Sequence, residues 1–338
     1  MACILLLLIS VLGLIIHSEG KTEEINNMHF VEATALPAKI MLTCNTSKEQ
    51  SALVYWVKNM KLEGNGKSVE KTIRGYPDAG KYVCRSNTTD AILSHSTVYI
   101  KKTNDKGEVA ESILSPFKEE SNRPYFKCTA NNYSGNFKCF WKPLEQNSNL
   151  NFKIKVTSGN AVCDEPIGPE AGMYTASCRK GIPCPSTEEF QETGIALEVF
   201  HGFEYEEHTH NFFIKDILKP DAVECQMENS LLTWTPPKTW STPASYYRLT
   251  YQIKMAQHPR RDWICEVNNA MLLHGGNSLS CHIRSSHRGT IYIRSRDHYN
   301  KNSAWSDWSE PCRKPFGKQD IHNNEDGIKI RQCECKKN

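Results

Sequence analysis

Residues 290–312 read TIYIRSRDHYNKNSAWSDWSEPC, and this stretch decides how the last part of the chain folds. Because side chains alternate along a strand, Arg294 and Arg296 point to the same face. Trp305 and Trp308 can then fold back against that face, where guanidinium groups and indole rings interleave through cation–π contacts of about 0.5–2 kcal/mol each. We therefore predict a ladder that stabilises a β-sandwich and is not itself a binding site. Its predicted members are Arg294, Arg296, Trp305, Ser306, Trp308 and Ser309.

A second signature lies near the start of the chain and predicts an immunoglobulin-like sandwich over residues 21–110. Cys44 and Cys84 have the spacing of a disulfide that joins the two sheets, and Trp56 would pack against the sulfurs. Tyr82, two residues before the second cysteine, would donate its hydroxyl group to the preceding turn. Together these residues predict a sandwich in this region.

Residues 111–219 are predicted to form a second β module. Phe137, Cys139 and Trp141 alternate onto one strand face, and an Asn-Tyr-Ser-Gly turn separates this strand from Cys128. The sequence DILKPD at residues 216–221 is predicted to be a linker, since its proline cannot continue the preceding strand.

Composition agrees with this plan of three small β domains. The chain has 338 residues, of which 39% are hydrophobic and 23% are charged, so it can bury real cores and is not disordered throughout. Its formal net charge of +3 is too small to indicate nucleic acid or an anionic membrane as the main partner. We expect the third module at residues 220–316, followed by a polar, disordered tail at residues 317–338.

The first 20 residues are predicted to be a signal peptide. Their apolar run, from Ile4 to Ile16, has the length of a signal-peptide core and is too short to span the hydrocarbon of a membrane. An uncleaved anchor is the alternative interpretation. No later segment contains 18 consecutive apolar residues, and the last residues of the sequence are polar. We therefore expect a secreted protein without a membrane span or a lipid anchor.

Cysteine usage also indicates an oxidising compartment. The chain has 14 cysteines, and removing Cys3 with the signal peptide leaves an odd number, so at least one has no partner within the chain. Four spacings fit disulfides: Cys44–Cys84, Cys128–Cys139, Cys163–Cys178 and Cys281–Cys312. The sequence does not decide how Cys225, Cys265, Cys333 and Cys335 pair.

Cys184 is the thiol that we expect to lack an internal partner. It lies between Pro183 and Pro185, which remove backbone donors and restrict the chain to a surface loop. An exposed thiol in an oxidising compartment favours an intermolecular bond. The alternative is an internal disulfide, with Cys225 or Cys265.

Three sequons agree with passage through the secretory route. Asn45 and Asn87 follow cysteines near predicted strand ends and are candidate N-glycosylation sites. Asn132 lies inside a tight hairpin between two cysteines, and we expect it to be unoccupied.

The combination of these modules resembles the soluble members of the class I cytokine receptor family. The stretches that carry the resemblance include YPDAGKYVC at 76–84, NNYSGNFKCFW at 131–141, FFIKDILKPD at 212–221 and WSDWSEPC at 305–312. The resemblance implies an all-β, disulfide-bonded chain: an immunoglobulin-like sandwich followed by two fibronectin type III-like sandwiches. It also implies a receptor-like subunit that binds a four-helix cytokine alpha subunit and is secreted with it as one heterodimer.

The resemblance further implies which residues meet the alpha subunit. Cys184 matches the interchain disulfide, and Asp297 matches a carboxylate at the bottom of a tyrosine-lined pocket that accepts an arginine. The matching contact positions are Tyr133, Glu188, Tyr246, Asp297 and Tyr299. Asn300 departs from the family, which usually carries a second tyrosine there. The first domain is expected to engage a cell-surface class I cytokine receptor, although residues 24–38 match too poorly to assign contacts.

Other functions have weaker support in the sequence. There is no GxSxG, HExxH or phosphate-binding glycine loop, so we expect neither an enzyme nor a cofactor. His208 and His210 alternate onto one strand face and could touch a metal, but a solvated strand face is the favoured interpretation. The sequence HPRR at 258–261 could hold heparan sulfate weakly. A soluble receptor or decoy that binds a cytokine reversibly is the main alternative, and a homodimer is left open.

Overall fold

In this computed structural model the described residues are 22–25, 27–46, 53–104, 106, 108, 111–118, 125–145, 149–181, 189–242, 246–256, 263–267, 271–272, 278–283, 289–312 and 335–336. The fold is all-β, as predicted, with several sheets and short 3-10 helices at Ala33–Ala35, Tyr76–Asp78 and Ile214–Asp216. Within these residues, no helix has the length and apolar character that crossing a membrane requires. The described residues divide into two compact units, the first comprising those up to Ile113 with 149–151 and 199–207, the second comprising the rest.

The first unit is built from β1 (Thr22–Ile25), β2 (Met28–Glu32), β3 (Ala38–Thr43), β4 (Val54–Lys58), β5 (Lys61–Asn65), β6 (Ser68–Ile73), β7 (Gly80–Ser86) and β8 (Ile92–Lys101). One sheet has the order β1-β2-β8-β7-β4-β5, in which β2 and β8 are parallel, and β3 pairs with β6 in a second sheet. Trp56 is fully buried in the core with the disulfide Cys44–Cys84. The Tyr82 hydroxyl donates to the carbonyl oxygen of Asp78 at 2.7 Å, as the sequence predicts.

The following strands are β9 (Phe126–Thr129), β10 (Asn136–Trp141), β11 (Leu150–Ser158), β12 (Ala161–Cys163), β13 (Ile167–Glu170), β14 (Met173–Lys180), β15 (Thr193–His201) and β16 (Glu204–Phe212). A sheet of order β12-β14-β10-β9, with β13 also on β14, lies in the second unit. Phe137, Cys139 and Trp141 are all buried, so β10 turns its apolar face to the core as its alternation predicts.

The last strands are β17 (Glu224–Glu228), β18 (Leu231–Thr235), β19 (Leu249–Ala256), β20 (Trp263–Val267), β21 (Met271–Leu272), β22 (Leu279–His282), β23 (Thr290–Asp297) and β24 (Cys335–Lys336). They form two sheets of order β17-β18-β22-β21 and β23-β19-β20-β24. Trp234, Tyr251 and Ile253 lie in the core that these strands share. Cys335 and Lys336 pair with β20, so these two residues differ from the disordered tail expected from the polar sequence.

The disulfides correct one expected pair. Cys128–Cys139 and Cys163–Cys178 form as their spacing predicts, whereas Cys312 bonds with Cys225 and not with Cys281. The reason is geometric. The backbone N–H of Cys312 donates to Ile291 of β23 at 2.9 Å, and this alignment leaves its Cα 5.1 Å from that of Cys225.

Cys281 and Cys265 lie buried inside the same core, and both are disulfide-bonded. Because Cys225 is already bonded, it is not available to Cys184, which removes one of the internal alternatives for that thiol. Sequence spacing could not reveal this, since each of these cysteines has several partners at a plausible separation.

Candidate partner-binding site

The tryptophan–arginine ladder has the expected members and continues further than the sequence indicates. The Arg294 guanidinium carbon lies 4.9 Å from the Trp305 ring centre and 4.3 Å from that of Trp308, and Arg296 lies 4.5 Å from Trp305. Lys254 extends the stack because its ammonium lies 4.9 Å from the Trp308 ring. Burial and the neighbouring Arg296 charge lower the pKa of Arg294 from its usual value. The cations of the ladder are therefore matched by indole rings of the same module.

The two serines of the motif attach it to β23. The N–H of Ser306 donates to the Ser295 carbonyl at 2.7 Å, and its hydroxyl accepts from the N–H of Ser295 at 2.9 Å. Ser309 repeats the arrangement with Ile293, at 2.8 and 3.0 Å. Each serine of the repeat therefore bonds to β23 through both its backbone N–H and its hydroxyl group.

The turn between β9 and β10 lies against the last module. Asn132 Nδ2 donates to the Thr239 carbonyl at 2.6 Å, and the N–H of Tyr133 donates to Ser241 Oγ at 3.0 Å. The Tyr133 hydroxyl donates to Asp297, the last residue of β23. Since the amide nitrogen of Asn132 is a hydrogen-bond donor within this contact, the geometry is consistent with the expectation that the Asn132 sequon is unoccupied.

The middle of the predicted linker is buried, and the linker contributes to the same junction. The carbonyl of Leu218, a fully buried residue, accepts from the N–H of Ala304 at 3.0 Å. Lys219 forms an ion pair with Asp307 at 2.8 Å. Asn300 Nδ2 donates to the carbonyl of Lys215 at 2.6 Å. The two modules of the second unit thus meet at a junction, here called the elbow, that is fixed by hydrogen bonds from residues 130–133, 215–219 and 297–307.

Asp297 is the buried charge of the elbow. Only 1% of its surface is exposed, and its carboxylate accepts from the Tyr133 hydroxyl, from the Tyr299 N–H at 3.1 Å and from the Asn300 N–H at 3.3 Å. Burial, followed by the hydrogen bond to Asp297, raises the pKa of Tyr133 above its ordinary value. Tyr133 therefore stays a protonated donor.

A cavity of about 590 Å³ opens beside this carboxylate. Its lining residues are Tyr133, Glu189, Phe190, Lys215, Tyr246, Tyr247 and Tyr299. The structure therefore brings together Tyr133, Tyr246 and Tyr299, the three tyrosines that the resemblance assigns to the contact with the alpha subunit. Asp297 is not among the lining residues, but it accepts a hydrogen bond from Tyr133, which is one of them.

The exposure of the lining residues is unusual for aromatic side chains. Phe190 is 86% exposed, Tyr246 is 54% exposed and Tyr299 is 63% exposed. By contrast, the Tyr133 ring is partly buried and packs on Tyr247 with 5.1 Å between ring centres. The cavity thus has a fixed inner wall and an open aromatic rim, the composition that recurs at the centres of protein interfaces.

Sequence reasoning missed four of the lining residues. Tyr247 follows Tyr246 directly, and both precede β19, so the alternation of a strand does not show which ring faces the cavity. Glu189 and Phe190 come from a segment without a recognisable motif. Lys215 lies within FFIKDILKPD, but nothing in that stretch marks it as a lining residue. Glu189 accepts from Lys180 at 2.6 Å, so its charge is already paired.

The remaining predicted residues lie outside the described residues, are exposed or pack against aromatic rings. Cys184, Glu188, the basic cluster 258–261 and the predicted signal peptide lie outside the described residues. Asn45 and Asn87 are exposed. His208 packs on Tyr125 at 5.4 Å and His210 on Phe212 at 4.8 Å between ring centres. The two histidines therefore take part in aromatic packing.

Comparisons with known proteins give one consistent result. Residues 123–201 match a family model described as the cytokine interleukin-12p40 C-terminus. The chain is 32% identical to interleukin-12 subunit beta of Sus scrofa over 306 residues. This alignment covers 84% of this chain and 90% of the relative. The protein of the same name from Mesocricetus auratus is 31% identical over 81% of this chain and 86% of its own length. The Homo sapiens protein is 29% identical, over 81% and 86% respectively.

Proposed function

This chain belongs to the interleukin-12 subunit beta family, and we propose that it is the secreted, receptor-like subunit of a heterodimeric cytokine. It binds a four-helix alpha subunit of the interleukin-12 alpha or interleukin-23 alpha type at the elbow. A disulfide through Cys184 makes the complex covalent, and the first domain presents it to a cell-surface class I cytokine receptor in immune signalling. The chain is a binding protein and not an enzyme in this proposal.

The observation that carries the proposal is the aromatic cavity in front of a buried carboxylate. Three of its lining tyrosines and Asp297 are the residues expected to meet the alpha subunit. Tyrosine walls exclude water at low entropic cost, which strengthens the attraction between a carboxylate and an arginine. Because the Tyr133 hydroxyl already donates to Asp297, the arginine reaches the carboxylate as the Tyr133 ring turns aside or by sharing its hydroxyl.

The main alternative is a soluble receptor or decoy that holds a cytokine reversibly. The domain plan and the ladder suit both functions equally well. The two differ in covalency, since a reversible receptor has no use for an interchain disulfide. Cys184, framed by two prolines, therefore favours the subunit.

Co-expression with the helical subunit tests the proposal. The wild-type chain is expected to migrate with its partner as one covalent dimer on a non-reducing gel, while Cys184→Ser gives a dimer that separates in detergent. Poor secretion of the helical subunit alone, rescued by this chain, is the second expected result. A covalent dimer that persists in Cys184→Ser contradicts the assignment of this thiol, and secretion of the wild-type chain only as an unlinked monomer contradicts the subunit function.

A further inference from the structure

An exposed apolar side chain occupies a tight turn of the first unit. Strands β4 and β5 pair up to Lys58 and Lys61, which leaves Asn59 and Met60 as a two-residue loop. Their φ angles are 49° and 64°, both in the left-handed region. The Met60 side chain is completely exposed, at 101% of its reference area.

Methionine is an unfavourable residue for this backbone position. Two-residue turns with positive φ at both positions favour asparagine or glycine, whereas other L-residues are disfavoured there because their Cβ comes too close to the following carbonyl oxygen. The other described non-glycine residues with positive φ are Asn27, Asn59, Asp90, Ala171 and Asn229, all small or able to bond locally. Because Met60 is fully exposed, packing within the fold does not offset its cost, and the fold itself gives no reason for a methionine here.

The base of the turn is held firmly. Lys58 is buried, its ammonium donates to the Pro77 carbonyl at 2.5 Å, and it lies 5.3 Å from the ring centre of Tyr82. Gly80, at φ 135°, leaves room for this lysine, because a Cβ there would lie 3.0 Å from Lys58 Cε. Met60 therefore projects from a fixed support. For this reason the backbone loses little conformational entropy when Met60 enters a partner.

The surroundings of Met60 indicate what that partner looks like. Leu62, two residues along β5, is also exposed, which makes the end of the hairpin apolar. Lys61 is exposed beside the turn, and Lys81 is exposed at the same end of the neighbouring strand. Glu63 is paired with Lys71 at 2.5 Å, so its charge is neutralised. The complementary surface is an apolar recess with acidic residues around it.

We propose that the tip of this hairpin, residues 59–62, is a docking element through which the first domain binds the ectodomain of its cell-surface receptor. Met60 enters an apolar recess of the receptor, and Lys61 and Lys81 face its acidic rim. This inference rests on the proposed function, which assigns receptor engagement to the first domain. Two apolar side chains are too few to hold a membrane, whereas a flexible thioether on a rigid support suits a protein pocket.

The test uses the full chain secreted with its helical subunit. A panel of class I cytokine receptor ectodomains of the same species, each displayed on cells, identifies the receptor that the wild-type heterodimer binds. Met60→Gly is expected to weaken that binding at least tenfold, while the melting temperature stays the same or rises by a few degrees, since glycine suits the turn. Met60→Leu keeps an apolar side chain and should retain affinity within about threefold.

Asn229→Gly is the matched control, because Asn229 is an exposed residue at φ 54° in the loop between β17 and β18. It should leave receptor binding unchanged. Receptor binding within twofold of wild type for Met60→Gly overturns the docking element but leaves the proposed function intact. A change in self-association of the chain, measured by sedimentation, without a change in receptor binding also overturns it and assigns the tip to a contact between copies. If the wild-type heterodimer binds no receptor of the panel, the proposed function fails first and the inference falls with it.

Discussion

The ladder and the cavity at the elbow use the same kinds of side chain for opposite purposes. In the ladder, indole rings lie between cations of the same chain, and Arg294 contacts both Trp305 and Trp308. At the elbow, tyrosine rings surround an open cavity, and a buried carboxylate has only neutral donors among its described hydrogen bonds. One aromatic cluster is satisfied within the module, and the other has room for a cation from outside.

This difference shows what separates a structural aromatic cluster from a binding one. Residue type does not distinguish them, since tryptophan, tyrosine and arginine are frequent in both. What distinguishes them is the partner of each charge and the exposure of each ring. Asp297 and Arg294 both lie on β23, three residues apart, yet Arg294 is matched internally by Gln252 and two indoles.

The largest effect is expected from removing the central cation of the ladder. Arg294→Ala loses two cation–π contacts and the bonds from Nε and an Nη to Gln252, at 3.1 and 2.8 Å. We expect the free energy of unfolding to fall by about 2–4 kcal/mol, because each contact contributes about 0.5–2 kcal/mol and the buried Gln252 oxygen loses its donors. Thermal and denaturant unfolding of the secreted chain measure this loss.

The affinity of the same variant for the helical subunit tests whether the ladder takes part in binding. Folded Arg294→Ala should bind the helical subunit as the wild type does, since the ladder is not part of the cavity. Arg179→Ala, which removes an exposed arginine of β14, is the control for losing a positive charge and should leave stability within about 0.5 kcal/mol. A large loss of affinity in Arg294→Ala without a loss of stability would mean that the ladder is a binding surface.

The sequence predicts the ladder well and the cavity only in part, for physical reasons. A repeat such as WSxWS has a fixed spacing because its serines bond to alternate residues of one strand, and such local constraints are visible in a sequence. The cavity forms where five segments that are distant in the sequence meet, and nothing in the sequence marks Glu189, Phe190 or Lys215 as residues that line it. The pairing of Cys312 with Cys225 was missed for the same reason, since it depends on how two strands align in space.

The second expected effect concerns the charge at the elbow. Asp297→Ala should lower the affinity for the helical subunit by more than about 2 kcal/mol, or roughly thirtyfold, as expected when one member of a buried charge pair is lost. Titration calorimetry of a Cys184→Ser background, where binding is reversible, measures this change. Asp307→Ala is the matched control. Its carboxylate is 81% exposed, forms an ion pair with Lys219 and does not line the cavity. Asp307→Ala should therefore change the affinity for the helical subunit by no more than about 1 kcal/mol. A loss of only a few tenths for Asp297→Ala would remove this carboxylate from the site.

The smallest effect is expected at the exposed aromatic rim of the cavity. Phe190 is 86% exposed, so Phe190→Ser should leave the free energy of unfolding unchanged within about 0.5 kcal/mol. If the rim closes over a partner, the same change should lower affinity by about 1 kcal/mol, because the ring no longer excludes water from the charge behind it. Ile167→Ser, which replaces another exposed apolar residue of the same module, should change neither quantity. Equal affinities for the two variants would mean that the exposed ring has no part in binding, and that the fixed inner wall of tyrosines alone makes the contact.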